Sequence, residues 1–119
     1  MNIIIQLILA FLMLYHALPK IFFSKNNLKI RGGKQMEYVD DLSQNNLKLI
    51  GIIELLTSLG LIIPAFINKY FWTINTSCIT IIIIMIGAIY IHIKRNDGIK
   101  SIIINILYIF MSVMIIFKN

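Results

Sequence analysis

Apolar residues along this chain fall into four long stretches, each broken by few polar positions, with shorter polar segments between them. The first covers residues 2–23, interrupted by Gln6, His16 and Lys20. The second covers 47–67, with Glu54 inside it and Pro64 near its end; the third covers 71–93 and the fourth 99–117. A helix crosses the hydrocarbon of a bilayer in about 20 residues, so each stretch is long enough to span. In lipid, backbone N–H and C=O groups can bond only to one another, which makes helix the natural geometry for such a stretch. The pattern predicts an all-α protein, a bundle of four transmembrane helices forming a single domain over 1–119. Short connections at 68–70 and 94–98 make neighbouring helices antiparallel, and one longer polar loop, 24–46, follows the first helix. Ser43, followed by Asn45 and Asn46, offers N-cap chemistry for the second span. Tyr70, Phe71 and Trp72 open the third with aromatic rings suited to the headgroup level.

Composition agrees with this reading. Hydrophobic residues make up 59% of the chain and charged ones 13%, with a mean hydropathy of +0.87; soluble domains carry about a quarter charged residues. A soluble fold of this size could not bury isoleucine runs such as 81–84 and 102–104, so lipid is the solvent that fits. The abundance of Ile and Asn fits an AT-rich coding sequence and a bacterial source. A secretory signal peptide would begin with a basic residue and end at a small-residue cleavage site. Residues 1–3 carry no base and Ala17-Leu18-Pro19 is a poor cleavage site, so the first stretch reads as a retained helix.

The net charge of +6 and pI near 9.6 raise the question of nucleic acid. The charges sit at the ends of apolar stretches and form no groove-sized patch, so they read as orientation signals instead. Lys20, Lys25, Lys29, Arg31, Lys34, Lys48, Lys94, Arg95 and Lys100 fall on one side, against only Lys69 and Lys118 on the other. Basic loops stay in the cytoplasm; the expectation is that 24–46 and 94–98 lie inside and both termini outside. Cys78 is the single cysteine, which excludes a disulfide framework, a CxxC dithiol and a cysteine-based zinc site.

Charged groups at membrane depth cost about 2.5–3.5 kcal/mol on insertion scales and usually face a partner inside the bundle. From a rise of about 1.5 Å per residue, Lys20 lies roughly 5 Å, and His16 and Glu54 roughly 10 Å, from the loop side. His92 sits at the boundary on that same side. His16 and Lys20, four apart, share a helical face. Ser101, Asn105, Tyr108 and Ser112 make one polar stripe on the fourth span. These positions predict a polar pocket in the inner half of the bundle, centred on Glu54 and lined by Lys20, His16, His92, Asn105 and Tyr108. Two readings stay open for its charges. Lys20 either snorkels to the headgroups or pairs with Glu54, and Glu54 serves either a structural ion pair or ligand and proton handling; in both cases His16 is its expected hydrogen-bond neighbour. His92, beside Lys94 and Arg95, reads equally as an ordinary interfacial residue. Gly51, Ser58 and Gly60 in the second span, with Gly87 and Ala88 in the third, are expected to let helices pack closely. No catalytic residue and no metal-ligand set stands out.

Gly51-Ile52-Ile53-Glu54, continued by Gly60-Leu61-Ile62-Ile63-Pro64, resembles the G-x-x-E-x-x-x-x-x-G-L-x-x-P signature of the DoxX-like membrane proteins. Ala17-Leu18-Pro19-Lys20 is similar to the small-x-P-K ending of that family's first helix, and Gly87-Ala88-Ile89-Tyr90-Ile91-His92 to the G-A-x-x-x-H of its third. The resemblance covers nearly the whole chain in order. It implies a compact four-helix membrane bundle with Lys20, Glu54 and His92 at the family's polar positions. Some relatives are associated with redox systems, including thiosulfate:quinone oxidoreductase and amine dehydrogenase maturation. More distant four-helix relatives act as cargo receptors, receptor-assembly chaperones or sterol-modifying proteins. Without paired cysteines, a dithiol role does not suit this chain. The leading expectation is a non-catalytic membrane protein whose pocket holds a small hydrophobic or amphipathic molecule, such as a quinone or lipid, in a redox, lipid or envelope process. One alternative is a membrane subunit of a quinone-linked oxidoreductase. The other is an assembly or interaction protein, as a homo-oligomer or with a protein partner docked on the bases of 25–34 and the acids of 37–41; nucleic acid is not expected.

Overall fold

The structure is a computed structural model, and it describes residues 3–32, 38–40 and 42–118. Five helices follow one another: α1 (Ile3–Phe22), α2 (Lys25–Gly32), α3 (Gln44–Ile67), α4 (Trp72–Arg95) and α5 (Ile99–Lys118). Four of them, α1, α3, α4 and α5, are long and apolar enough to cross a membrane, with mean hydropathies of 1.8 to 2.2 over their most apolar windows. At most 33% of the residues in those windows are buried within the bundle. The apolar side chains left outside, among them Ile4, Phe66, Ile83 and Phe110, therefore need lipid as their solvent. The longest extent, 40 Å, matches a bilayer with its headgroup layers. The protein is a multi-pass, all-helical membrane bundle.

The segment after the first span departs from the expected loop. It contains α2, and a short turn of helix follows at 38–40. Local chemistry explains this: Ser24 Oγ accepts from the Asn27 backbone N–H at 3.3 Å, and Gln44 Oε1 accepts from the Lys25 N–H at 3.0 Å, tying the start of α2 to the start of α3. Leu28, Val39 and Leu47 form a small buried cluster with Phe23, Tyr38 and Leu42 around it. Lys29 bonds both Asp40 carboxylate oxygens at 3.0 Å, and that hydrogen bond holds the exposed Asp40 carboxyl below its usual range. The six apolar side chains are too few for a domain, but they suffice to seat a cover on one end of the bundle. Lys34, Glu37 and Asp41, read as part of this segment, lie outside the described residues.

Ser43 caps α3, its Oγ accepting from Asn46 N–H at 3.0 Å. At the other end of α3 and of α4, Asn68 and Asn96 stand in the left-handed region, φ 53° and 56°; a short polar side chain tolerates that conformation better than most. The spans pack in the order α1–α3–α4–α5, with α5 closing against α1. Between α1 and α3, Gln6 Nε2 donates to the Leu61 carbonyl at 2.7 Å and Ser58 Oγ to the Ala10 carbonyl at 2.8 Å. A Cβ on Gly51 would stand 2.9 Å from Lys20 Cβ and 3.1 Å from the Ala17 carbonyl oxygen, so α1 and α3 touch through that glycine. A Cβ on Gly60 would collide with the Ser77 hydroxyl, and Thr73 Oγ1 donates to the Gly60 carbonyl at 2.7 Å, which joins α3 and α4 at the opposite end. Gly87 corrects the expected packing: it is exposed and a Cβ there would meet nothing within 4 Å. Ala88 beside it is half-buried.

Candidate functional site

Glu54 lies on the α3 face that carries Gly51 one turn before and Ser58 one turn after, the face applied to α1. It is fully buried. Because Gly51 brings the two backbones together, Lys20 near the end of α1 extends across and its Nζ reaches Glu54 Oε1 at 2.5 Å. The lysine side chain keeps 11% of its surface, the glutamate none. Of the two readings left open for Lys20, the structure has the ion pair. Such a pair neutralises the charge within the bundle, where a lone carboxylate would be strongly disfavoured. It uses one carboxylate oxygen; Glu54 Oε2 is buried without a hydrogen-bond partner.

His16, one turn deeper on α1, does not bond Glu54 as expected. Its Nε2 shares a hydrogen bond of 2.7 Å with the Tyr108 hydroxyl of α5, the rings meeting edge to face at 5.5 Å. A four-residue step keeps His16 on the Lys20 face, but one turn of rise carries it past Glu54 towards the α5 stripe. On that stripe Asn105 Nδ2 donates to the Ser101 carbonyl at 3.1 Å and Ser112 Oγ to the Tyr108 carbonyl at 2.9 Å. His92 is buried at the end of α4, where its Nδ1 lies 2.8 Å from Asp97 Oδ2, and Arg95 Nε lies 3.3 Å from the same oxygen. It therefore belongs to the polar end of α4 and is not hydrogen-bonded to Glu54.

These side chains nonetheless share one cavity of about 320 Å³. Lys20, His16, Glu54, His92, Asn105 and Tyr108 all line it. Tyr38 and Leu42, from the segment between α2 and α3, close its loop end; Tyr38 adjoins Lys20 and stands edge-on to His92 at 5.2 Å. The rest of the wall is hydrocarbon from α3, α4 and α5, including Ile50, Ile84, Ile91 and Ile104. The result is a mostly apolar chamber with polar side chains from all four spans in its wall. Among the described residues, no group of three or more His, Cys, Asp or Glu could hold a metal ion.

Sequence reasoning missed three residues here. Tyr38 lies in a stretch with no helical period to place it. Asp97 read as turn chemistry, though an acid five residues past a histidine at a helix end is close enough to return to it. Gln6 read only as an interruption of an apolar run; an amide at that depth requires a carbonyl on another helix, and it finds Leu61.

No curated protein and no solved structure matches the chain. The profile of the DoxX-like family matches residues 4–115, a range that takes in both partners of the Lys20–Glu54 pair, His92 and the α5 stripe. This four-span membrane protein belongs to the DoxX-like family.

Proposed function

We propose that this protein binds a small molecule with a polar head and an apolar body in its intramembrane cavity, as an accessory to a redox, lipid or envelope process. The observation that carries this reading is the second oxygen of Glu54, fully buried at the cavity wall and without a partner. Leaving a buried acceptor unsatisfied costs about 1–3 kcal/mol, and a ligand that donates a hydrogen bond to it removes the cost. Since Lys20 already balances the carboxylate, the ligand needs no charge of its own. A hydroxyl or amide N–H suffices, as on a quinol or a neutral lipid headgroup, with Tyr108 and Asn105 near enough to help orient it. A volume of about 320 Å³ is near the lower end of the roughly 300–1,000 Å³ range of ligand sites, which suits a ring or headgroup but not a whole lipid.

Native mass spectrometry from mild detergent tests this. Wild-type protein is expected to retain an adduct that Glu54→Gln loses, because the amide presents donors where the ligand needs an acceptor. A bare wild-type protein, or the same adduct on both, would overturn the reading.

The basic residues also support a topology. Tyr38 against His92 puts the polar segment and the end of α4 at the same end of the bundle, the end rich in Lys and Arg. We place that end in the cytoplasm and both termini outside. A phosphatase active only outside the cytoplasm, fused to the C-terminus, should be active; a C-terminal fluorescent protein that folds only in the cytoplasm should stay dark, and the opposite pair of results would reverse the assignment.

A further inference from the structure

We infer that the ligand of the Glu54 cavity carries a single apolar chain, that this chain leaves the bundle sideways past Gly87, and that it lies in the lipid-facing groove between α3 and α4. This rests on the cavity reading above and adds the shape of the molecule and its route. The α4 wall of the cavity is graded: Met85 and His92 are buried, Ile84, Ala88 and Ile91 half-buried, and Ile83 and Gly87 exposed although they line the same space. Ile104 of α5 lines the cavity and is exposed as well, so the lining reaches the outer surface of the bundle on α4 and α5 and the cavity opens sideways. The loop end is covered by Tyr38 and Leu42, which leaves the side.

Gly87 is the residue that keeps this side open. Helices α3 and α4 meet tightly at Gly60, Thr73 and Ser77, whereas a Cβ at Gly87 would have no neighbour within 4 Å. Contact between the two helices is thus seen at Gly60, while nothing stands beside Gly87. A second hollow of about 280 Å³ lies between the same two helices, lined by Ile53, Leu56, Thr76, Thr80 and Trp72 among others. Ile50 and Ile53 on α3, and Ile83 and Thr80 on α4, are one turn apart, so the hollows follow each other along one pair of helices. From Gly87 to Trp72 the groove runs roughly 22 Å at 1.5 Å per residue, the length of a long acyl or isoprenoid chain.

The chemistry of the second hollow suits hydrocarbon. Its threonines turn their hydroxyls back onto helix carbonyls: Thr76 onto Trp72 at 3.0 Å, Thr80 onto Thr76 at 2.9 Å and Thr57 onto Glu54 at 2.7 Å. What they present to the groove is methyl. One end of this path thus has an unmet, fully buried carboxylate oxygen and the remainder is mostly hydrocarbon, which describes a single-chain molecule with a hydroxyl at its head.

Two probes test this on the whole protein in lipid nanodiscs: a hexadecyl alcohol and a benzoquinol with one alkyl tail, each carrying a mid-chain diazirine. After illumination, label from one or both is expected on Ile53, Leu56, Thr76 or Thr80. Glu54→Gln should reduce it, and Gly87→Trp, whose Cβ would meet nothing within 4 Å and whose ring would fill the opening, should reduce it about tenfold. The probe that labels identifies the head as lipid-like or quinol-like. Label that depends on Glu54 but falls on α1 or α5 would overturn the route and leave the cavity reading intact. Label indifferent to Glu54→Gln, or none from either probe, would overturn both. If Gly87→Trp does not fold, the map on wild-type protein decides by itself.

Discussion

Lys20→Met is expected to lower the stability of the bundle by about 3–5 kcal/mol, the loss seen when one partner of a buried ion pair is removed. The reason lies with the group left behind. Glu54 has no exposed surface and bonds only through Oε1 to Lys20; its other oxygen already lacks a partner. Methionine fills a similar volume but supplies no donor, so the carboxylate is left without its compensating charge. Replacing both residues, as in Lys20→Met with Glu54→Leu, should recover most of the loss, because an apolar pair of similar volume costs little where an ion pair stood. The double-mutant cycle, read by denaturation in mixed micelles, then isolates the coupling. A lysine that merely snorkelled to the headgroups would give a loss below about 1 kcal/mol and no rescue. The same cycle separates stability from binding: the double variant should be folded and empty.

Gly51→Ala should destabilise the bundle by about 1–3 kcal/mol, the usual range for an overpacked contact, although alanine is the better helix former. Its methyl would stand 2.9 Å from Lys20 Cβ, 3.0 Å from Ile21 Cγ1 and 3.1 Å from the Ala17 carbonyl oxygen. The last of these is backbone and cannot rotate away, so α1 must shift and take Lys20 with it. Loss of the native adduct should therefore accompany the loss of stability. Gly87→Ala supplies the contrast. With nothing within 4 Å of its Cβ, it should gain about 0.5–1 kcal/mol from helix propensity alone. If the two substitutions moved thermal unfolding in the same direction, the close approach at Gly51 and the opening at Gly87 would both be in doubt.

The hydrocarbon solvent made much of this legible beforehand. Lipid demands long apolar helices and punishes every polar residue placed among them, so the spans could be read from runs of isoleucine, and the unusual residues within them (His16, Lys20, Glu54, Asn105 and Tyr108) marked themselves as candidates by depth. The polar segment was less legible, because Leu28, Val39 and Tyr38 follow no single period over so short a length. Their burial depends on being laid across the start of α3 and the end of α4.

Depth along a helix axis follows from residue number, and the sequence by itself determined the number of spans and where each begins and ends to within a few residues. Rotation about that axis and the gap to the next helix do not follow from residue number; they are settled by which side chains can interlock. Only the tertiary structure could decide that Lys20 takes Glu54 while His16 goes to Tyr108, that Gly51 and Gly60 are contacts while Gly87 has no neighbour, and that one carboxylate oxygen is left buried without a partner. Those outcomes depend on ångström-scale distances between segments far apart in the chain, and no periodicity encodes them.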